Sequence, residues 1–266
     1  MKQQVRVKRI SLEEQVRATA LIKRMVNERS AGKVLYITIS GSDLYGFPSE
    51  NSDVDYRGCY QTHTNNLLGL KGYREVIDAR EPDISMFELR KEITLAMSSN
   101  CNVLEHLNAP TVYRTAESME LKELMNNCIT KNGLHGSYKG LALHNYEKFI
   151  SKGLNKTYKK YLYIFRGLMA GTYALQTGRI QPNMNELNKY FKLKPIKELI
   201  KMKQDGVEQE IADDMMFSGE LDELIPPMID KLDEAYEKSR IPKRLEDSDK
   251  DKVNSWLITL RRGFMA

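Results

Sequence analysis

The run Val34–Ile39 constrains this chain most: six consecutive apolar or β-branched residues that stop at Ser40-Gly41-Ser42. Such a run reads as a buried strand. Gly41 lets the chain turn sharply and lets a ligand come close to the backbone. Eleven residues past Ser42 stands Asp53, followed by Asp55, in a second β-prone run that ends at Tyr60. On a strand, residues two apart share a face, about 6.6 Å apart. Two carboxylates placed so repel each other unless a cation lies between them. Mg²⁺ takes oxygen ligands and keeps positions for water and substrate phosphates. The Gly41-Ser42 turn then supplies a phosphate seat beside a metal seat at Asp53 and Asp55, an arrangement suited to a nucleoside triphosphate.

The rest of the chain is arranged around that unit. Ser11 and Glu14 form a capping-box signature for a helix reaching about Arg29. Gly46, Pro48, Ser49, Asn51 and Ser52 make a turn-rich loop, with Ser52 fixing it just before Asp53. Arg74–Ala79 reads as a third strand, broken by Pro82. Ser85 and Glu88 read as a second capping box, opening a helix over Met86–Met97. Ala109-Pro110 closes this segment, which gives domains of 1–113 and 114–266. Beyond it the chain reads as helices, the longest over Lys156–Thr177 and stopped by Gly178. Shorter ones are expected over Glu208–Met216 and, after a break at Pro226-Pro227, over Met228–Ser239. Residues 243–252 read as a solvated link before Val253–Arg262.

Composition removes several classes. A hydrophobic share of 41% with 29% charged residues is that of an ordinary globular protein, and a net charge of +5 suits an anionic substrate. Cys59, Cys101 and Cys128 are too scattered for a disulfide framework or zinc knuckle. His63, His106, His135 and His144 have no ligand spacing and read as structural or surface groups. With no 18-residue apolar run and no apolar stretch behind the basic N-terminus, neither a membrane span nor a signal peptide is expected, and the cytoplasm is the default location. The P-loop, nucleophile-elbow, zinc-helix and G-x-G-x-x-G motifs are all missing.

Gly-Ser, a short spacer and Ser-Asp-x-Asp together resemble the nucleotidyltransferases of the DNA polymerase beta superfamily. The succession GSDLYGFPSENSDVDYRG, DISMFELRKEITLAMSSNCNVLEHL and KKYLYIFRGLMA resembles a bacterial and phage branch associated with RNA repair. The likeness covers roughly residues 30 to 175. It implies an α+β chain: a small mixed β-sheet core with helices, followed by a helical C-terminal domain that completes a nucleotide cleft. It also implies transfer of a nucleoside monophosphate, as from ATP, to an acceptor hydroxyl with release of pyrophosphate. Two Mg²⁺ or Mn²⁺ ions would be held by Asp53, Asp55 and a third carboxylate from a neighbouring strand. Asp83 is the first choice for that third acid and Asp78 the second. Gly41, Ser42 and Tyr45 would meet the nucleotide, and Lys160 and Arg166 would face it from the long helix. Arg57, two past Asp55, could hold the acids or reach a phosphate. An RNA end leads as acceptor, ahead of a protein hydroxyl or a small molecule such as an aminoglycoside. An inactive nucleotide- or RNA-binding module is the reading from another class.

Overall fold

The computed structural model describes residues 10–70, 72–152, 156–205 and 215–265. The first helix, α1 (Leu12–Ser30), starts where the sequence signals it. The Ser11 side chain accepts from the Glu14 amide, the Glu14 carboxylate accepts from the Ser11 amide, and Ala31 ends the helix at φ 46°. There follow β1 (Lys33–Ile39), a single short turn of helix α2 (Gly41–Tyr45), β2 (Asp55–Gln61), α3 (Thr64–Leu68), β3 (Val76–Ala79) and β4 (Asp83–Glu88). Then come α4 (Leu89–Met97), α5 (Cys101–Asn108) and β5 (Thr111–Arg114). The helical remainder comprises α6 (Ala116–Asn127), α7 (Lys131–Asn145), which runs into a π turn over Tyr146–Ile150, α8 (Tyr158–Thr177), α9 (Met184–Phe191), α10 (Lys194–Gln204), α11 (Met215–Lys238) and α12 (Asp247–Arg262).

The strands form one five-stranded mixed sheet in the order β3-β4-β2-β1-β5. Only β2 and β4 run parallel, with Asp55 opposite Asp83 and Tyr60 opposite Glu88. The other pairs are antiparallel. Alternation along the strands gives the sheet two buried faces. Ile37, Ile39, Tyr56, Tyr60, Ile84 and Met86 pack with Ile22 and Val26 of α1 on the back. Leu35 and Cys59 join a larger core on the front, built on α4, α5 and the middle of α8, where Leu162, Phe165 and Leu168 are fully buried. That front core is shared by residues from Leu35 to Val253, and a division at 113/114 passes through β5.

Three local readings are corrected. Asp83–Glu88 is a strand rather than the start of a helix, because Ile84, Met86 and Glu88 alternate inward over the sheet. Glu88 is itself the N-cap of α4, its carboxylate accepting from the Arg90 amide at 2.7 Å. Pro226 and Pro227 lie inside α11 without ending it, since Ile225, Met228 and Leu232 fix that helix to the core. Residues 243–252 are not all a link, because α12 starts at Asp247. Most of the helix expected over Glu208–Met216 lies outside the described residues.

Candidate active site

The site begins at the joint between β1 and α2. Gly41 has φ +63°, a left-handed conformation natural to glycine. Space demands glycine as well: a Cβ on Gly41 would stand 1.8 Å from Asp55 Oδ2. The Ser40 amide donates to the Asp55 carbonyl at 2.8 Å, so turn and strand are locked together. At the other end of α2, Gly46 takes φ +83°, and its carbonyl accepts from the side-chain amides of Asn185 at 2.6 Å and Gln204 at 3.1 Å. Helices α9 and α10 thus hold the short helix that carries Gly41, Ser42 and Tyr45. Below it, the loop before Asp53 is pinned by Ser52, whose hydroxyl accepts from the Ser49 amide at 2.9 Å.

Parallel pairing of β2 and β4 brings Asp55 and Asp83 side by side. The two carboxylates interact directly. Burial, and then the Asp83 carboxylate, push Asp55 up to about 6, while Arg57 and Lys159 act in the opposite direction. Asp83 is more exposed; against its partial burial, Arg57 and the hydrogen bond shared with Asp55 together hold it below the ordinary carboxylate range. Arg57 grips Asp83 with two nitrogens, at 2.9 and 3.3 Å, and reaches Asp55 at 3.6 Å. Asp53 is exposed and precedes β2, so the shared-face argument for Asp53 and Asp55 does not hold. All three acids nevertheless border one groove. Asp78 lies one strand further out, opposite Ser85, with its backbone carbonyl taken by Arg29. Among the described residues no three His, Cys, Asp or Glu side chains are gathered as a metal site. The donor chemistry still fits a hard cation. Asp55 and Asp83 offer only oxygens, and the pressure that lifts Asp55 is what a bound positive charge relieves.

In front of Asp55 opens a cleft of about 540 Å³, bordered by Gly41, Asp55, Arg57, His106, Lys159 and Tyr163 among others. The long helix α8 therefore does face the cleft, but with different residues from those expected. Lys160 lies over the Phe149 ring at 3.8 Å, whereas Lys159, one residue or about 100° earlier, borders the cleft. Arg166 is 1% exposed and ion-paired with the fully buried Glu105, its guanidinium 4.0 Å from the Tyr45 ring centre. As placed, it lies against Tyr45 of α2 and does not border the cleft. Tyr45 is likewise buried, packed edge-on against Tyr163.

The chain matches, over residues 2–259, the family described as RNA repair pathway DNA polymerase beta family, RlaP. It belongs to that family. The RlaP description places it among polymerase-beta-like nucleotidyltransferases connected with RNA repair. An uncharacterized protein of Bacillus subtilis, YcgL, is 32% identical over 198 residues, 69% of this chain and 75% of its own length. An uncharacterized protein of Methanocaldococcus jannaschii, MJ0002, is 31% identical over 158 residues, 57% of this chain and 64% of its own.

His106, read from the sequence as a structural or surface group, stands beside the turn. His106 Nε2 lies 2.9 Å from the Ser40 hydroxyl, immediately before the Gly41 turn. Burial, Arg57 and Arg166 depress its pKa to about 3, so the ring is neutral at working pH. The faint signal in the sequence was its place on the buried helix segment Cys101–Asn108. No helix among the described residues is long and apolar enough to cross a membrane.

Proposed function

We propose that this protein transfers a nucleoside monophosphate from a nucleoside triphosphate to a hydroxyl of an RNA end, releasing pyrophosphate. The observation that carries the reading is the contact of Gly41 with Asp55, beside Asp83. It lets a phosphate come against a bare backbone turn within reach of two carboxylates. Asp55 and Asp83, with Asp53 at the groove, would hold divalent ions, which when bound neutralise phosphate charge and lower the acceptor hydroxyl's pKa. Lys159 meets the triphosphate as a mobile point charge, while Arg57 keeps the two acids in register. Neutral His106 fixes the Ser40 side chain, and through it the entry to the turn. The chain's own part is thus positioning and charge compensation.

The test is incubation of the purified protein with each α-labelled triphosphate and total RNA and protein, with Mg²⁺ or with EDTA. Label should enter RNA only with the divalent ion. An Asp53→Ala, Asp55→Ala double variant should lose at least about a thousandfold in rate, the scale of a lost electrostatic element. A folded double variant that labels RNA as fast as the parent overturns the assignment.

A further inference from the structure

Asp55 is bordered by two openings. One is the cleft in front of the sheet. The other, of about 820 Å³, runs along α1 past the start of β2 and the turn between β3 and β4. Asp53 and Asp83 line this second groove, with Arg17 of α1, Arg80 of the turn, and Leu21 and Val54 as an apolar wall. Asp55 belongs to both. In-line displacement at phosphorus places the attacking and leaving oxygens on opposite sides of the reacting atom. Gly41, Arg57 and Lys159 all border the front cleft, so the leaving pyrophosphate belongs there. The attacking hydroxyl must then arrive from the far side of Asp55.

We propose that the groove between α1 and the β3–β4 turn receives the hydroxyl-bearing end of a single-stranded RNA acceptor. This rests on the transfer reading above. The acceptor oxygen forms its bond to the α-phosphorus while the bond to the α,β-bridging oxygen breaks. That oxygen leaves with the electron pair as pyrophosphate, and the hydroxyl proton passes to water in the groove. Charge favours this polarity. Arg80 is exposed, as is Arg17, which pairs with Glu13 on the surface of α1, and planar guanidinium groups suit phosphodiester oxygens. Glu14 and Glu81, exposed as well, add to the three aspartates, so the groove wall as a whole carries more acid than base. Such a wall accepts a neutral hydroxyl terminus and repels a terminal phosphate. The volume lies in the range of small-ligand sites, enough for the end of a strand.

The test compares the parent chain, an Arg17→Glu, Arg80→Glu double variant, and Lys250→Glu on α12 as a charge control. With a hydroxyl-ended single-stranded RNA, the double variant should show a KM for RNA raised about tenfold or more. Its KM for the triphosphate should stay within about twofold, and the salt dependence of RNA binding should be shallower by about one to two in slope. The same strand ending in a phosphate should bind the parent several-fold more weakly. RNA carrying a terminal 4-thiouridine should cross-link to residues 53–56 or 80–83, a readout that needs no transfer. Cross-linking there without label transfer would support the groove and remove the transfer reading. Cross-links on α8 instead, an unchanged KM for RNA in the folded double variant, or label found on protein alone would overturn the groove.

Discussion

Gly41 is where backbone and chemistry meet. Its φ of +63° costs another residue about 1–3 kcal/mol, and any Cβ collides with Asp55 Oδ2. Gly41→Ala is therefore expected to lose about 1–3 kcal/mol of stability in urea titration, and at least about a hundredfold in transfer rate because Asp55 must move. Asp55 gives a prediction of opposite sign. Its carboxyl is raised from 3.8 to about 6 by burial and by Asp83, so the folded state keeps a proton that the unfolded state gives up. Stability linked to this group is full below pH 3.8 and falls as pH rises to about 6. In EDTA, Asp55→Asn should gain on the parent by about 1–3 kcal/mol between pH 4 and 7, yet transfer nothing. A constant difference across that range would show that the acid is not raised. Both residues were legible in the sequence, because Gly-Ser and Asp-x-Asp are local patterns. That Arg57 could hold the acids was legible too, but its two-nitrogen grip on Asp83 depends on parallel pairing across 26 residues.

At the scale of elements, α8 shows how far periodicity reaches. Its length and its stop at Gly178 followed from the sequence, but the lysine that it turns to the cleft depends on which stripe is buried. With Leu162, Phe165 and Met169 inward, Lys159 points to the cleft and Lys160 to Phe149. Lys159→Ala should raise the KM for the triphosphate about tenfold, as loss of a charge-assisted contact does, while Lys160→Ala should stay within about twofold. Strand β4 was hidden for a related reason. Ser85 and Glu88 have capping-box spacing, but the sheet needs Ile84 and Met86 inside, and tertiary burial overrode the local signal. Helix α4 then buries Glu92 against Tyr36 of β1, whose hydroxyl donates to it. Burial lifts Glu92 from 4.5 to about 8, so its contribution is full below pH 4.5 and lost as pH rises through about 8. Glu92→Gln keeps an acceptor for Tyr36 without the ionisation. Its melting temperature should exceed the parent's at pH 8.5 and approach it near pH 5; equal pH profiles would count against a raised Glu92.

Across the whole molecule, the end of the described chain returns to the sheet. The Leu260 carbonyl accepts from Gln61 at 3.2 Å, and the Arg261 carbonyl from the Thr64 hydroxyl at 2.7 Å. The Phe264 carbonyl accepts from the Thr64 amide at 3.2 Å. Arg261 also reaches the carboxylate of Glu88, which is fully buried, with contacts of 3.2 and 3.3 Å. Sequence gave no hint of a pairing across 173 residues. Helix α12 thereby closes the seam between β2 and β4, at the end opposite to Asp55 and Asp83. Removing the cation leaves a fully buried carboxylate without its counter-charge, a loss of about 3 kcal/mol or more. Arg261→Ala should then melt roughly 6–12 °C lower in calorimetry. Adding Glu88→Gln should restore much of that, because the amide still accepts from the Arg90 amide but carries no charge to strand. Transfer rate at a temperature where all variants are folded should stay within about twofold, since Glu88 stands five residues along the strand from Asp83. A double variant no more stable than Arg261→Ala would mean that packing of α12, rather than the buried ion pair, holds the seam closed.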